Sequence, residues 1–373
     1  MLNAQQFGDM LWQAMKNDGK TPSHDVYGNG DQAVVPEYLD SNHLIPSDDV
    51  DWVDEILRAA VVQSYNLSFT KADKKSNQLF SLGYYDQQGL VKFSDFKRVS
   101  GRFNSEYKLF DDHLRIGENI SLSHSWGTSV SNNAALGGTL YEAYKFQSIT
   151  PVKNLEDEYA GNVFSDIPNP MGKLYRNKDN QDKKSRLVGN LYAELHLFDG
   201  LMFKTSFGVD YNNLYRRSFS PKYDELNASE KLSSLSNRNA WNFNWVFTNT
   251  LTYNKTFGDH TINALLGMES LRNRYEYFTA SRDGFPSDDP NFRFLDAGDV
   301  GTQKNSGAAT EYSMVSYFGK LDYNYHDRYL VAFTLRRDGS SRLGNNKWGN
   351  FPAASVGWRI SNEPFFDVEA ISN

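Results

Sequence analysis

The sequence of 373 residues contains no cysteine, no long apolar run and no block of like charges. The absence of cysteine excludes disulfides, thiolate metal sites and a cysteine nucleophile. No stretch approaches the roughly 20 apolar residues that a transmembrane helix requires, so a helical membrane protein is excluded. The 39 basic and 46 acidic residues are spread along the chain and give a net charge of -7. We therefore expect no nucleic-acid partner.

Aromatic residues are abundant and make up 14% of the chain, with 22 tyrosines, 25 phenylalanines and 7 tryptophans. Hydrophobic residues nevertheless amount to only 39%, and the mean hydropathy is -0.63. A membrane β-barrel has such a composition, because its lipid-facing residues come at every second strand position and its loops are polar.

Apolar and polar residues alternate with a period of two in a series of long segments, which predicts β-strands. In the clearest segment, 311–325, Tyr317 and Leu321 share one face, and Lys320 and Asp322 share the other. About eleven strands follow from this pattern. They span residues 61–70, 77–85, 98–110, 114–126, 186–197, 201–212, 241–255, 261–278, 311–325, 327–337 and 351–360.

The connections between the predicted strands alternate between short turns and long links. Turns at 71–76, 111–113, 199–200, 256–260 and 326 alternate with links that include 127–183, 218–237 and 279–310. Asp199-Gly200 is a strong hairpin signal. Short turns on one rim and long loops on the other are expected of an outer-membrane barrel. A soluble β-sandwich is the alternative, but its strands are shorter and its two rims carry turns of similar size.

Aromatic residues cluster where strands meet connections, which suits two interfacial girdles. Towards the long links lie Trp126, Tyr215, Trp241, Tyr275, Tyr277, Phe278 and Tyr312. Towards the short turns lie Phe69, Tyr107, Phe110, Tyr253, Phe257, Tyr325 and Tyr329.

The first 60 residues show helical rather than strand periodicity. Short helices are predicted at 3–17, ended by Asn17-Asp18-Gly19, and at 51–60. We therefore divide the chain into an extracellular loop region, 1–60, and a partial all-β, antiparallel, up-and-down transmembrane barrel, 61–373.

Several segments resemble motifs of the SusC/RagA family of TonB-dependent outer-membrane transporters, in family order and over nearly the whole chain. The most specific are RRDGSSRLG at 336–344 and WGNFPAASVGWRI at 348–360. The others are LNAQQF at 2–7, NDG at 17–19, DWVDEI at 51–56, SLGYYDQQGLV at 81–91 and YFGKLDYNY at 317–325. From the residues alone, Asp338 to Ser341 predict a turn and Pro352 a break in strand pairing. We interpret this motif as hairpin geometry rather than direct ligand contact.

The resemblance implies a barrel of about 22 strands, the size of plugged outer-membrane transporters, in the outer membrane of a Gram-negative cell. It also implies TonB-dependent import of an oligosaccharide or peptide beneath a SusD-like surface lipoprotein, with the TonB complex acting through an N-terminal plug region. The chain shows neither plug, TonB box nor secretory signal. We therefore expect a barrel fragment that does not transport by itself. A passive porin or adhesion barrel is the alternative function, and a soluble sandwich enzyme is a third.

No catalytic, cofactor-binding or metal-binding residue is predicted, and the ligand-binding residues stay unknown. The histidines show no metal-ligand spacing: they are His24, His43, His113, His124, His196, His260 and His326. Two carboxylate pairs, Asp210 with Asp322 and Glu194 with Glu269, could in principle cleave a glycoside. Charges that face a water-filled barrel interior explain them better, so we expect no enzyme.

Two loop features could bind ligands, although each has a simpler explanation. The acidic loop 287–291 could hold calcium, but such residues more often form a solvated turn. Aromatic residues of the long links could stack on sugars, although packing between loops is the expected use. These residues are Tyr141, Tyr144, Phe146, Tyr159, Tyr223 and Trp348.

Overall fold

The structure is a computed structural model that describes residues 1–131 and 137–366. The predictions for link 127–183 and barrel region 61–373 lie partly outside these residues. Eleven long strands form one antiparallel sheet in which each strand pairs with the next along the chain. They are β1 Val62–Ala72, β2 Ser76–Gln88, β3 Asp95–Leu109, β4 Leu114–Gly127, β5 Gln181–Phe198, β6 Leu201–Ser220, β9 Ser234–Phe257, β10 His260–Asp283, β11 Lys304–Tyr325, β12 Tyr329–Ser340 and β13 Trp348–Trp358. A small separate hairpin consists of β7 Tyr223–Glu225 and β8 Ala228–Glu230.

The predicted all-β, up-and-down architecture with eleven strands is therefore confirmed. The turns on one rim are short, as expected: Phe198 pairs with Leu201 across Asp199-Gly200, where Gly200 has a φ of 87°. Among the described residues, no helix is long and apolar enough to cross a membrane.

Most strands extend further towards the long links than alternation predicted. The prediction started β9 at Trp241, but pairing with β6 and β10 begins at Ser234. The extra residues, 234–240, are mostly polar on both faces, because they lie beyond the apolar zone of the sheet. Backbone hydrogen bonds to two neighbours maintain the strand there without an alternating pattern.

The prediction for the motif at 336–360 was wrong in two places. Asp338, Gly339 and Ser340 belong to β12, and the turn comes later, at 341–347. Pro352 does not break the pairing, since it lies opposite Leu335 within β13. In the described chain β13 pairs only with β12, and such an edge strand tolerates the missing N–H of proline.

In the part of the chain that the structure describes, four α-helices lie outside the sheet: α1 Ala4–Asn17, α2 Trp52–Ile56, α3 Thr139–Lys145 and α4 Pro170–Asn177. A capping box between Asn3 and Gln6 begins α1. The second predicted helix was too long, because Leu57 leaves α2 to form a β-bridge with Val91. The sequence pattern did not predict α3 and α4, which lie in the long link before β5.

Three small clusters of buried apolar residues stabilise the connections. Trp52, Ile56 and Phe146 belong to the first, Trp12 and Tyr27 to the second. The third consists of Phe219, Leu235 and Phe285. The long links are therefore packed structures with cores of their own.

Candidate functional site

One face of the sheet is apolar from the first strand to the last. Residues directly opposite each other on paired strands share a face, so Leu266, Gly319, Leu335 and Pro352 form one row across β10 to β13. The same face carries Leu67, Phe80, Phe103, Ile120, Leu191, Phe207 and Leu251 on the other strands. We call this surface the apolar face.

The apolar face has clear limits along β12. At the turn end, Tyr325 and Tyr329 stack with ring centroids 6.2 Å apart. The first charge towards the long-loop end is Arg337, eight residues after Tyr329. Beyond it the face is charged, with Arg272 2.8 Å from Glu311. Eight residues span about 27 Å along a strand, or about 20 Å along a barrel axis, close to the ~25 Å apolar band of membrane barrels.

The opposite face is polar, and ion pairs join its neighbouring strands. On β5 and β6, Arg186 lies 2.7 Å from Asp210, and Lys204 lies 2.8 Å from Glu194. These side chains are partly exposed, as expected of groups that face water. We call this surface the polar face.

A denser network on the polar face surrounds Arg336. Its guanidinium lies 2.8 Å from Asp338 and 3.6 Å from Glu269. It also donates a hydrogen bond to the hydroxyl of Ser316 and lies 5.4 Å from the ring of Phe318. Ser316 is buried although it lies on the polar face, because Arg336 covers it.

The segment before β1 and the long links before β5 and after β6 pack together into a loop cluster, built around α2, α3, α4 and the β7–β8 hairpin. Trp52 and Phe146 are fully buried there, with ring centroids 4.7 Å apart. The indole of Trp52 also donates to the carbonyl oxygen of Gln147 at 3.1 Å. The cluster is thus a fixed structure at the long-loop end of the sheet.

A buried carboxylate holds part of this loop cluster together. One oxygen of Glu225 accepts a hydrogen bond from Arg176 at 2.6 Å, and the other accepts from the backbone N–H of Asn169 at 2.7 Å. Burial raises the pKa of Glu225, and Arg176 and Asn169 oppose this effect. The guanidinium of Arg176 also stacks 3.9 Å above the ring centroid of Tyr223.

A pocket of about 340 Å³ lies between α4 and the end of β6. Lys173, Arg176, Asn177, Asn180, Ser218 and Tyr223 belong to its lining. Its two cations are already neutralised, since Lys173 lies 2.6 Å from Glu142 and Arg176 pairs with Glu225. The amides of Asn177 and Asn180 also donate to protein oxygens, so the pocket offers a ligand no uncompensated charge, which suits an uncharged molecule. Sequence reasoning missed this pocket, because its residues come from segments far apart in the chain.

Comparison with known proteins places this two-faced sheet in a family. No family model matches the chain. It is 30% identical over 341 residues to TonB-dependent receptor P3 of Formosa agariphila, covering 89% of this chain and 34% of the relative. It is 28% identical over 354 residues to TonB-dependent receptor SusC of Bacteroides thetaiotaomicron, covering 87% of this chain and 34% of the relative.

The fold agrees with a solved structure of the RagAB peptide transporter. The TM-score is 0.79 at 21% identity, over 99% of this chain and 43% of that chain. The chain belongs to the SusC/RagA family of TonB-dependent receptors. It spans about a third of the length of the curated relatives that it matches.

TonB-dependent receptors are outer-membrane β-barrels, and membership of the SusC/RagA family supports an outer-membrane location for this sheet. The apolar face then contacts lipid and the polar face lines the interior. Two polar pairs depart from this pattern on the apolar face: Ser105 lies opposite Glu118, and Thr205 lies opposite Asn249. The hydroxyl of Ser105 donates to the Glu118 carboxylate, which lessens the cost of placing it among apolar neighbours.

The register tests the two predicted aromatic girdles. The girdle at the turn end holds, because its strand residues, among them Tyr107, Tyr253 and Tyr329, lie on the apolar face. At the long-loop end three assignments were wrong, because the side chains alternate between faces and these three fall on the polar face. They are Tyr275, Tyr277 and Tyr312. There Tyr275 and Tyr277 contact Arg238. An aromatic residue therefore belongs to a girdle only if it points to the apolar face and also lies near the end of the strand.

The structure does not bring the candidate carboxylates together. Asp210 and Asp322 lie on β6 and β11, and Glu194 and Glu269 on β5 and β10, so three inter-strand spacings separate each pair. That is about 14 Å along the sheet, beyond the distance that glycoside cleavage requires. Three of the four have a cation within 3 Å; the exception is Glu269, 3.6 Å from Arg336.

The acidic loop 287–291 is organised by a protein cation. Arg293 donates two hydrogen bonds to the carbonyl oxygen of Asp288, and the Asp289 side chain accepts from the backbone N–H of Asn291. Among the described residues, no group of three or more His, Asp or Glu side chains could hold a metal ion.

The aromatic residues of the long links mostly pack within the loop cluster. Phe146 is buried, Tyr159 packs beside Tyr175 at 5.9 Å, and Tyr223 lies under Arg176. Tyr144 is exposed. Trp348 is instead part of β13, on the apolar face beside Tyr317.

Proposed function

We propose that the chain forms part of the wall of a Gram-negative outer-membrane barrel that imports a nutrient, an oligosaccharide or a peptide, by TonB-dependent transport. The observation that carries this proposal is the two-faced sheet of a family member. Its apolar face is tall enough for a bilayer, and its polar face carries charges suited to a water-filled interior. The RagAB structure, named a peptide transporter, favours a peptide, whereas the neutral pocket beside α4 favours an oligosaccharide.

The proposal assigns partners and regions to the chain. Residues 1–60 form an extracellular loop region, and residues 61–373 form part of the barrel wall. A SusD-like surface lipoprotein covers the long-loop end, and the TonB complex acts through a plug region. The chain has no enzymatic role, in keeping with carboxylates that are engaged in ion pairs and hydrogen bonds.

Growth on defined nutrients tests this function. The protein is expressed from its complete gene in a strain that lacks the chromosomal copy, with an oligosaccharide or a peptide as the only carbon source. We expect uptake to require the gene and an intact TonB complex. Uptake that persists after the loss of TonB would contradict energy coupling and indicate a passive porin.

The lipoprotein partner has a separate test. If a SusD-like gene lies beside this gene, its deletion is expected to reduce uptake of the same nutrient, and the two proteins are expected to copurify. Full uptake without any such protein would contradict the assigned partner but leave TonB-dependent import intact.

A further inference from the structure

A groove of about 710 Å³ opens on the apolar face where β10, β11 and β12 meet. Gly319 lies at its floor, where an added Cβ would be 3.2 Å from the side chain of Leu266. Its walls include Leu266, Tyr317, Leu321, Phe333 and Leu335. The volume falls within the roughly 300–1,000 Å³ of ordinary small-molecule sites, although the groove lies on the surface that meets lipid.

One end of the groove carries a cation. Arg337 lines the groove and lies in the row of Tyr317 and Asn350, one row above Gly319 towards the long loops. Its guanidinium lies 5.0 Å from the ring centroid of Trp348. Arg337 forms no salt bridge with any residue that the structure describes, whereas Arg272, higher on the same face, is neutralised by Glu311.

We propose that this groove binds a lipid of the leaflet at the long-loop end, with an acyl chain over Gly319 and an anionic phosphate headgroup on Arg337. The apolar walls suit a hydrocarbon chain, and a guanidinium matches the geometry of phosphate oxygens with two parallel hydrogen bonds. Tyr317 and Trp348 lie at the height of Arg337, where aromatic rings meet headgroups. The inference rests on the outer-membrane placement in the proposed function.

The order of the groups along β12 also identifies a lipid as the occupant. The apolar rows from Tyr329 to Leu335 lead directly to one uncompensated positive charge, so apolar and anionic parts must occur in one molecule and in this order. A membrane lipid with a phosphate-bearing headgroup has that order and would meet this face in the proposed placement.

Native mass spectrometry of the protein expressed from its complete gene tests the proposal. The probes are phosphatidylglycerol and a diacylglycerol with the same acyl chains. Wild type is expected to retain phosphatidylglycerol but not diacylglycerol. Arg337→Gln is expected to weaken retention about fivefold, the effect of losing one cation near a membrane surface, or about 1 kcal/mol.

Two variants test the acyl-chain part of the groove. Gly319→Leu fills the floor and is expected to abolish retention, and Ala264→Leu serves the same purpose if Gly319→Leu does not fold. The matched control is Gly101→Leu on the apolar face of β3, where an added Cβ would lie 3.7 Å from Leu82. We expect it to retain lipid like wild type.

Several results would overturn the lipid site. These are equal retention by wild type, Arg337→Gln and the groove-filled variants, equal retention of diacylglycerol, or retention of inorganic phosphate alone. A wild-type dimer that dissociates only in the groove-filled variants would also overturn it, because a second copy would then be the occupant. If wild type retains no lipid but uptake is normal, the lipid site is wrong and the proposed function stays intact. If wild type fails to insert into the outer membrane, both the lipid site and the proposed function are contradicted.

Discussion

Arg176 on α4 and Glu225 on β7 form an ion pair of 2.6 Å, with side chains only 14% and 2% exposed. The two residues lie 49 positions apart in the chain. Because the carboxylate also accepts from the backbone of Asn169, this contact joins the link before β5 to the small hairpin after β6. A largely buried charged contact therefore helps to hold the loop cluster together.

Replacement of Arg176 by methionine is expected to destabilise the loop cluster by about 3–5 kcal/mol, because it leaves a buried carboxylate uncompensated. Amide hydrogen exchange in α4 and the β7–β8 hairpin measures this change. Lys231→Met removes the nearby pair with Asp224, whose side chains are 72% and 69% exposed. That control should cost at most about 1 kcal/mol. Equal exchange in the two variants would show that burial does not matter here.

The N-terminal region is expected to loosen at alkaline pH because of Tyr27. Its hydroxyl donates to the carbonyl oxygen of Ala4 at 3.0 Å, and desolvation, helped by Asp49, raises its pKa to about 12. An unfolded tyrosine has a pKa of about 10, so the folded state holds the proton more tightly. The resulting stability is present below pH 10 and is lost as the pH rises towards 12.

Tyr27→Phe isolates this group, since it preserves the ring and removes the phenol. The difference between the wild-type and variant tyrosinate absorbance titrations should show one group that titrates near pH 12. Proteolysis of residues 1–50 should increase over the same range in wild type only. A difference titration centred near pH 10 would contradict the effect of burial.

The two faces of the sheet predict opposite responses to a charge at adjacent positions. Phe207 lies on the apolar face and Ser206 on the polar face of β6. Phe207→Lys should cost about 2–4 kcal/mol, the penalty for lysine near the midplane of a membrane barrel, whereas Ser206→Lys should cost far less. Urea unfolding of the complete protein in lipid vesicles measures both, with Phe207→Leu as the control for the lost ring. Similar costs at the two positions would show that the faces are misassigned.

Replacement by alanine is expected to affect stability differently at two glycines on adjacent strands, Gly117 on β4 and Gly101 on β3. A Cβ on Gly117 would lie 2.4 Å from the ring of Tyr192, whose hydroxyl donates to Glu106 at 2.8 Å. Gly117→Ala must displace this ring and should cost about 1–3 kcal/mol. Gly101→Ala meets only Leu82 at 3.7 Å and should be neutral or slightly stabilising. Thermal unfolding compares the two, and an unchanged midpoint for Gly117→Ala would mean that Tyr192 moves without cost.

The number and order of the strands in the large sheet followed from the sequence because the signals are local, whereas the β7–β8 hairpin was not predicted. Alternation locates a strand and Asp199-Gly200 locates a turn without knowledge of any partner. Strand ends were less predictable, since residues 234–240 have no alternating pattern and remain in the sheet only through their neighbours. The turn after β12 was placed too early for the same reason, because pairing with β11 and β13 extends the strand through Ser340.

The sequence by itself determined that this chain forms one long-stranded, two-faced sheet with unequal rims, because side-chain alternation and turn chemistry act over a few residues. Only the tertiary structure decided which residues meet. The register of three strands brings Arg337, Gly319 and Leu266 to one groove, and the packing of distant links brings Arg176 to Glu225. Such contacts join residues that are tens of positions apart in the chain, and a local sequence pattern does not predict them.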